Sequence, residues 1–340
     1  MRLVFLDVIR IYAAFSVYFT HNLSSFSDQY INNNFNSLLS IILVFFSNLT
    51  KYGGSGVFCF FLVSGYIIHK SILTSSAHVF MIKRFFRIYP AYAIICIVSF
   101  FSTHTFNSVI FEDFYSLFLQ ISLLGDFLNL DYGLGGVEWT LRMELYFYII
   151  MYIFRFFDIF NNRFFSLIYV IFSLFLCQAG PILTTRFASG YISLYLPIIF
   201  IGSCFYQIEH KAKERFFNIC ISVGLFVGHL LMCISFNKPN DYFMFAIIGL
   251  GVFCFFWSIR NYILFLDSIV YWPASLTYVV YLSHKWINEL NIIGTYFGTS
   301  LLRIFVVFFV VIIVSFFVHM VIERPGVAIG RSILRKKIFL

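Results

Sequence analysis

The sequence predicts an all-α bundle of helices that cross a membrane, and two observations lead to this prediction. The chain of 340 residues is 61% hydrophobic and only 11% charged, with a mean hydropathy of +0.91. Soluble domains carry about 25% charged residues, so this chain lacks the polar side chains that would cover a water-soluble fold. Apolar stretches long enough to cross a hydrocarbon core of about 30 Å also recur along the chain.

Polar clusters and Gly or Pro residues divide the chain into about ten candidate spans. These spans cover residues 3–21, 54–70, 86–103, 138–156, 164–178, 191–208, 216–236, 242–259, 270–287 and 300–322. Two shorter apolar segments, 38–49 and 114–124, are expected to be re-entrant, interfacial or packed extensions. Neither an internal repeat nor a soluble domain is visible, so residues 1–340 are expected to form a single membrane-embedded domain.

The distribution of Lys and Arg predicts that both termini lie in the cytoplasm. With ten spans and a cytoplasmic N-terminus, most of these residues fall at cytoplasmic helix ends and loops, where membrane proteins carry them in excess. The same distribution accounts for the net charge of +8 without a nucleic-acid partner. The seven cysteines lie in apolar runs without a CxxC pair, which argues against a disulfide or zinc framework.

The first predicted span contains three ionisable residues, which are costly inside a membrane and often functional. Asp7 and Arg10 are three residues apart, so a local ion pair is the simplest interpretation of Asp7. Arg10 and His21 are three helical turns apart and therefore share a face, with His21 nearer the outer side. This spacing predicts one polar seam across the bilayer, in which Arg10 and His21 line the same cavity.

The segment KRFFRIYP places Arg84 and Arg87 one turn apart at the inner end of the third span. They are either ordinary cytoplasmic anchors or a phosphate-binding pair, because guanidinium groups bind phosphate oxygens bidentately. The sequence alone leaves both interpretations open.

Two further segments place polar residues near span ends. In GLGGVEWTLRMELYFY, Glu138 and Arg142 are four residues apart and can pair, whereas Glu144 lies deeper and is not explained by solvation. In SLTYVVYLSHKWI, His284 and Lys285 end the ninth span, where an interfacial His and Lys would be ordinary. Because no HExxH, Walker, GxSxG or metal-ligand pattern occurs, any chemistry is expected to use proton transfer and charge stabilisation, without a metal.

These fragments, taken in order, resemble acyltransferase family 3, the membrane O-acyltransferases of surface polysaccharides. LDVIRIYAAFSVYFTHN looks like the first helix of that family, and the later elements are similar to GVFCFFLVSGYII, RFFRIYPAY, EWTLRMELYFY, SLTYVVYLSH and the ERP of residues 323–325. The chain departs from many members by having Phe58 and Leu145 where acidic residues are common. No fused SGNH-type domain is expected.

The resemblance implies transfer of an acyl group, most simply acetyl, from cytoplasmic acyl-CoA to a sugar hydroxyl of a cell-surface or exported polysaccharide or glycolipid. It also implies a location in the cytoplasmic (inner) membrane of a bacterium. The implied site residues are His21 as general base, Glu144 as a second catalytic residue that orients the imidazole or binds the sugar, Arg10, Arg84 and Arg87 for the donor acetyl-CoA, and Trp139, Tyr281 and His284 for the acceptor.

A polytopic transporter, such as a flippase of lipid-linked sugars, remains the main alternative, since buried charges would line a translocation path. Transporters are often built from repeated halves, and no repeat is visible here. A polysaccharide polymerase or ligase would need large outer loops, and the outer loops predicted here are short. The acceptor sugar, the hydroxyl, the acyl chain and the oligomeric state cannot be read from the sequence.

Overall fold

The structure is a computed structural model in which every regular element of the described residues is helical. It describes residues 2–33, 51–103, 110–123, 133–179, 191–290 and 301–338, together with residues 44, 293 and 296. The predicted all-α bundle is therefore confirmed. Of the two short apolar segments, 114–124 overlaps a described helix, whereas 38–49 lies outside the described residues except for residue 44.

Twelve α-helices occur in the described parts of the chain. They are α1 (Val4–Asn33), α2 (Gly54–Leu73), α3 (Ala77–Thr103), α4 (Ile110–Ile121), α5 (Glu138–Phe156), α6 (Leu167–Ala179), α7 (Tyr191–His210), α8 (Arg215–Ser235), α9 (Asp241–Ser258), α10 (Asp267–Asn288), α11 (Leu301–Val318) and α12 (Arg324–Ile338). Short 3₁₀ turns precede α8 and α10, and another follows α5. A π-helical turn, His319–Glu323, joins α11 to α12.

Seven of the described helices are long and apolar enough to cross a membrane: α1, α2, α3, α7, α8, α9 and the continuous segment from α11 into α12. The predicted spans 138–156 and 270–287 are also helices, α5 and α10, but they carry more polar residues because they line the site described below. The predicted span 164–178 is the shorter helix α6, of 13 residues. The count of ten spans thus stays a prediction.

Helix α7 is the centre of the bundle, with 83% of its apolar window buried, against 17% for α9 at the periphery. It packs closely on α2, because Gly65 of α2 faces the carbonyl oxygen of Ile199, and Gly202 of α7 faces that of Leu62. A Cβ atom at either glycine would overlap the opposing backbone. Small residues at such contacts let transmembrane helices approach closely, and dispersion forces then hold them together.

The remaining helices surround this pair. Helix α1 packs against α2 and α10, α9 packs against α2, and α11 packs against α10. Large apolar side chains such as Leu174 of α6, Val223 of α8 and Phe309 of α11 are exposed. These faces suit contact with lipid, because hydrocarbon tails solvate apolar side chains as well as a protein core does.

Candidate functional site

A cavity of about 100 Å³ lies between α1, α2, α3, α5 and α10, and we call it the arginine cavity. Its charged lining residues are Arg10, Arg84, Arg87, Glu144 and Glu323. Charged side chains are rarely buried in a helical bundle unless they are paired or face a polar space. The structure thus brings together all three arginines that the sequence singled out, from two different helices.

The first turns of α3 supply Arg84 and Arg87. Arg84 is only 8% exposed, and its guanidinium carbon lies 5.5 Å from the ring centroid of Phe80 and 5.7 Å from that of Tyr148. Among the described residues, no carboxylate oxygen lies within 4.0 Å of either guanidinium group. Neither arginine thus forms a direct ion pair within the described part of the chain, although Glu144 and Glu323 line the same cavity. Because three arginines outnumber these two glutamates in the described lining, the cavity favours an anionic ligand.

Arg10 is held by Asp7, as the three-residue spacing predicted. Its Nη1 atom lies 3.6 Å from Asp7 Oδ1, while Asp7 Oδ2 lies 2.6 Å from Arg2 Nε. Arg2 also pairs with Asp267 at the start of α10, at 2.9 Å. Because two arginines share Asp7, that carboxylate neutralises Arg10 only in part, and Arg10 keeps positive charge directed at the cavity.

Glu144 lies in the arginine cavity and is fixed by two hydroxyl groups. Its Oε1 atom accepts hydrogen bonds from Ser64 Oγ of α2, at 3.0 Å, and from Tyr148 OH one turn further along α5, at 2.6 Å. Ser64 was noted in the sequence only as part of the segment GVFCFFLVSGYII. Tyr148 was not predicted as a site residue, although it lies four residues after Glu144 and therefore on the same face of the helix. This carboxylate therefore lies beside the arginines and does not contact His21.

Glu323 is a second carboxylate of the arginine cavity to which the sequence analysis gave no role. It ends the π-helical turn after α11, and its Oε2 atom lies 2.8 Å from His319 Nδ1. Single π turns are frequent at functional sites because they shift the side chains that follow them around the helix. The ERP of residues 323–325 was the available signal, but it could not show where Glu323 points.

A second cavity, of about 310 Å³, lies between α1, α2, α5, α7, α9 and α10, and we call it the histidine cavity. His21 and Lys285 line it, together with the aromatic residues Trp139, Tyr195 and Tyr281. The ring centroids of Trp139 and Tyr195 are 4.8 Å apart, so these two side chains form one aromatic wall. The sequence analysis did not assign Lys285 to a site.

His284 lies beside His21, and their ring centroids are 5.4 Å apart. The His284 side chain is 1% exposed. Its Nδ1 atom lies 2.7 Å from the carbonyl oxygen of Tyr281, one turn back in α10, while its Nε2 atom has no hydrogen-bond partner among the described residues. The two histidines that the sequence selected from opposite ends of the chain therefore form a pair.

The two cavities are adjacent but distinct, which corrects the expectation of one seam shared by Arg10 and His21. Arg10 lines the arginine cavity, and His21 lines the histidine cavity. Val57 and Tyr281 line both cavities and form the wall between them; the Tyr281 ring packs edge-on against Phe60, at 5.2 Å. Helical spacing correctly placed Arg10 and His21 on related faces of α1, but it could not show that α2 and α10 close the space between them.

A family model described as "Acyltransferase domain" matches residues 3–321. Searches of curated proteins and of solved structures found no match.

Proposed function

Because the chain belongs to the acyltransferase family whose model covers residues 3–321, and its apolar helices make it an integral membrane protein, we propose that it transfers an acyl group from acyl-CoA to a sugar hydroxyl. The acyl group is most simply acetyl. The acceptor is a cell-surface or exported polysaccharide or glycolipid, or its lipid-linked precursor, and the membrane is the cytoplasmic membrane of a bacterium.

The observation that carries this proposal is the pair of guanidinium groups, Arg84 and Arg87, that line the arginine cavity without a carboxylate partner among the described residues. The head of CoA bears several phosphates, and arginine binds phosphate oxygens through two parallel hydrogen bonds. We place the CoA head at Arg84 and Arg87, on the cytoplasmic side in the predicted topology. Arg10 then contacts the thin arm of acyl-CoA that links the phosphorylated head to the thioester. Glu144 accepts hydrogen bonds from the amide N–H groups of this arm.

The histidine cavity supports the acceptor side of the proposal. Its aromatic wall of Trp139 and Tyr195 suits the apolar face of a sugar ring, and Tyr281 and Lys285 add polar groups. In our proposal His21 takes the proton of the acceptor hydroxyl, as a neutral imidazole can near pH 7. The hydroxyl oxygen bonds to the thioester carbon, the C–S bond breaks, and His21 returns the proton to the departing CoA thiolate.

The wall between the cavities defines where the two substrates meet. Since Val57 and Tyr281 alone line both cavities among the described residues, the thioester has to reach the acceptor beside these two side chains. The proposal therefore includes a movement of Tyr281 that opens the wall when both substrates are bound. A polytopic flippase also has cavities on two sides of a wall, so a transport activity is the competing function.

An assay with membranes that contain the protein tests the proposal. Acetyl-CoA labelled in the acetyl group should transfer label to the glycan or lipid-linked glycan fraction, as an ester that mild base releases. The His21→Ala variant should insert at the same level, but its rate of acyl transfer should fall at least about 100-fold, as expected for loss of a general base. Movement of unlabelled glycan across the membrane without any ester would favour the flippase and refute the acyltransferase.

A further inference from the structure

The proposed base, His21, needs a partner that fixes which of its two ring nitrogens carries the proton. In many hydrolytic enzymes a carboxylate fulfils this role, and its loss leaves the imidazole in the wrong tautomer. Here Glu144 lies in the other cavity, where Ser64 and Tyr148 hold it. The group beside His21 is instead the ring of His284, at 5.4 Å between centroids.

The hydrogen bonds of His284 determine its own tautomer. A backbone carbonyl can only accept a hydrogen bond, so the 2.7 Å contact to the oxygen of Tyr281 requires a proton on His284 Nδ1. In the neutral ring, Nε2 is then an unprotonated acceptor. That atom is buried and has no partner among the described residues, and leaving a buried acceptor unsatisfied costs about 1–3 kcal/mol.

We propose that His284 is a positioning residue for His21. The two rings are neighbours in the structure without a hydrogen bond between them, and a small rotation of the His21 ring would let one of its N–H groups donate to His284 Nε2. The other nitrogen of His21 is then unprotonated and directed into the histidine cavity. Three groups thus form a relay: the backbone carbonyl of Tyr281, the ring of His284 and the ring of His21. When His21 takes the acceptor proton, the relay stabilises the imidazolium, because His284 Nε2 still accepts its second N–H. Lys285, which lines the same cavity, adds a positive charge that favours passing the proton on.

This inference rests on the proposed function and assigns His284 a role different from contact with the sugar. His284 does not line either cavity, whereas His21 lines one. An acceptor-binding residue would have to reach the cavity, while a residue that acts through His21 has to lie behind it. The burial and the carbonyl contact of His284 fit the second role.

Two substitutions at His284 separate positioning from packing. His284→Phe keeps a planar ring of similar volume but has no acceptor, whereas His284→Gln can place its amide oxygen near the position of Nε2. We expect His284→Phe to lower kcat about 100-fold with the donor KM changed less than about 2-fold, because a residue that acts through His21 affects the chemical step and not donor binding. His284→Gln should recover about 10-fold of that loss.

His229 provides a matched control. It is equally buried, and its Nδ1 atom lies 2.8 Å from the carbonyl oxygen of Leu194. Its ring contacts Phe58 and Cys233, whereas the ring of His284 lies beside His21. His229→Phe should leave kcat within about 3-fold, provided that the protein inserts. Any one of three results would overturn the inference. The first is equal activity of His284→Gln and His284→Phe, and the second is a donor KM that rises in proportion to the loss of kcat. The third is an equal loss of kcat in His229→Phe.

A spectroscopic measurement gives a second readout that does not need activity. The ¹⁵N spectrum of histidine-labelled protein in lipid nanodiscs should show one neutral tautomer for His21 and a mixture of both in His284→Phe. An unchanged His21 spectrum refutes the positioning role even if activity is lost. If the unaltered protein transfers no acyl group, both the proposed function and the role of His284 are refuted. If the unaltered protein and His284→Phe transfer the acyl group equally well, only the role of His284 is refuted.

Discussion

Arg84 and Arg87 near the start of α3 are the main observation in favour of an anionic donor. Lysine would supply the same charge, but its ammonium group cannot form the two parallel hydrogen bonds that a guanidinium makes with phosphate. The guanidinium group of Arg84 also packs near the rings of Phe80 and Tyr148, which restricts its rotamers before any ligand arrives. Such preorganisation lowers the entropy lost on binding.

Replacing these arginines should weaken donor binding specifically. We expect Arg84→Gln and Arg87→Gln each to raise the donor KM about 10-fold, the loss of roughly one charge-assisted contact, with a smaller effect on kcat. The measurement is the initial rate of acyl transfer against acetyl-CoA concentration. Lys83→Gln is the matched control, because Lys83 is adjacent and exposed but does not line the cavity. A donor KM that stays unchanged in both arginine variants would remove them from the donor site.

The sequence predicted individual site residues better than their neighbours. Helical spacing showed that Asp7 and Arg10 meet, and the structure has this pair. Ser64, which binds Glu144, and His284, which lies beside His21, come from other helices, and the periodicity of one helix contains no information about which helix packs beside it. The sequence therefore could not show that Glu144 is bound by Ser64, or that His21 lies against His284.

At the scale of elements, the sequence predicted the helices more reliably than their ends and contacts. Hydropathy located α2, α7 and α9 to within a few residues, because long apolar runs leave little choice. It did not predict the π turn His319–Glu323, since one extra residue in a helical turn leaves the apolar pattern almost unchanged. Nor could it show which glycines lie at helix contacts. Gly202 of α7 and Gly224 of α8 both lie in apolar runs, but only Gly202 faces the backbone of another helix.

The contact between α2 and α7 gives a test at this scale. Gly202→Ala adds a methyl group that overlaps the backbone of Leu62, so the two central helices must move apart. Overpacking of this kind costs about 1–3 kcal/mol, and we expect the apparent Tm in detergent to fall by about 5 °C.

Gly224→Ala in α8 is the matched control, since a Cβ atom there meets nothing within 4 Å. Alanine also favours a helix over glycine, so the Tm of this variant should stay the same or rise. Fluorescence-detected gel filtration after heating measures both variants. If Gly202→Ala is as stable as Gly224→Ala, the close packing of α2 on α7 is wrong.

For the whole molecule, the sequence predicts orientation through the distribution of Lys and Arg, and the structure groups side chains in agreement with it. Arg2 pairs with Asp267, as expected if α1 and α10 begin on the same side of the membrane. Lys51 pairs with Asp241, as expected if α2 and α9 both begin on the opposite side. The absolute direction across the bilayer is a property of the chain in its membrane. It therefore remains a prediction from the positive-inside rule.

Thiol labelling of intact cells tests the orientation. Residues 237 and 261 flank α9, with Asn237 predicted outside and Asn261 in the cytoplasm. A membrane-impermeant thiol reagent should modify Asn237→Cys in intact cells but Asn261→Cys only after permeabilisation. The chain without an added cysteine measures the background from its seven native thiols, of which Cys220 is exposed. Labelling of both positions from the same side would contradict the span and the predicted topology.

The wall of Val57 and Tyr281 also bears on the membrane as an electrical insulator. A continuous column of water through the bundle would let ions leak down the membrane potential, which is worth about 2.3 kcal/mol per elementary charge at 100 mV. Among the described residues, the two cavities share only these two side chains. An acyl group could then pass from one face of the bilayer to the other while the cell keeps its voltage, provided that Tyr281 yields to the substrate and not to a hydrated ion.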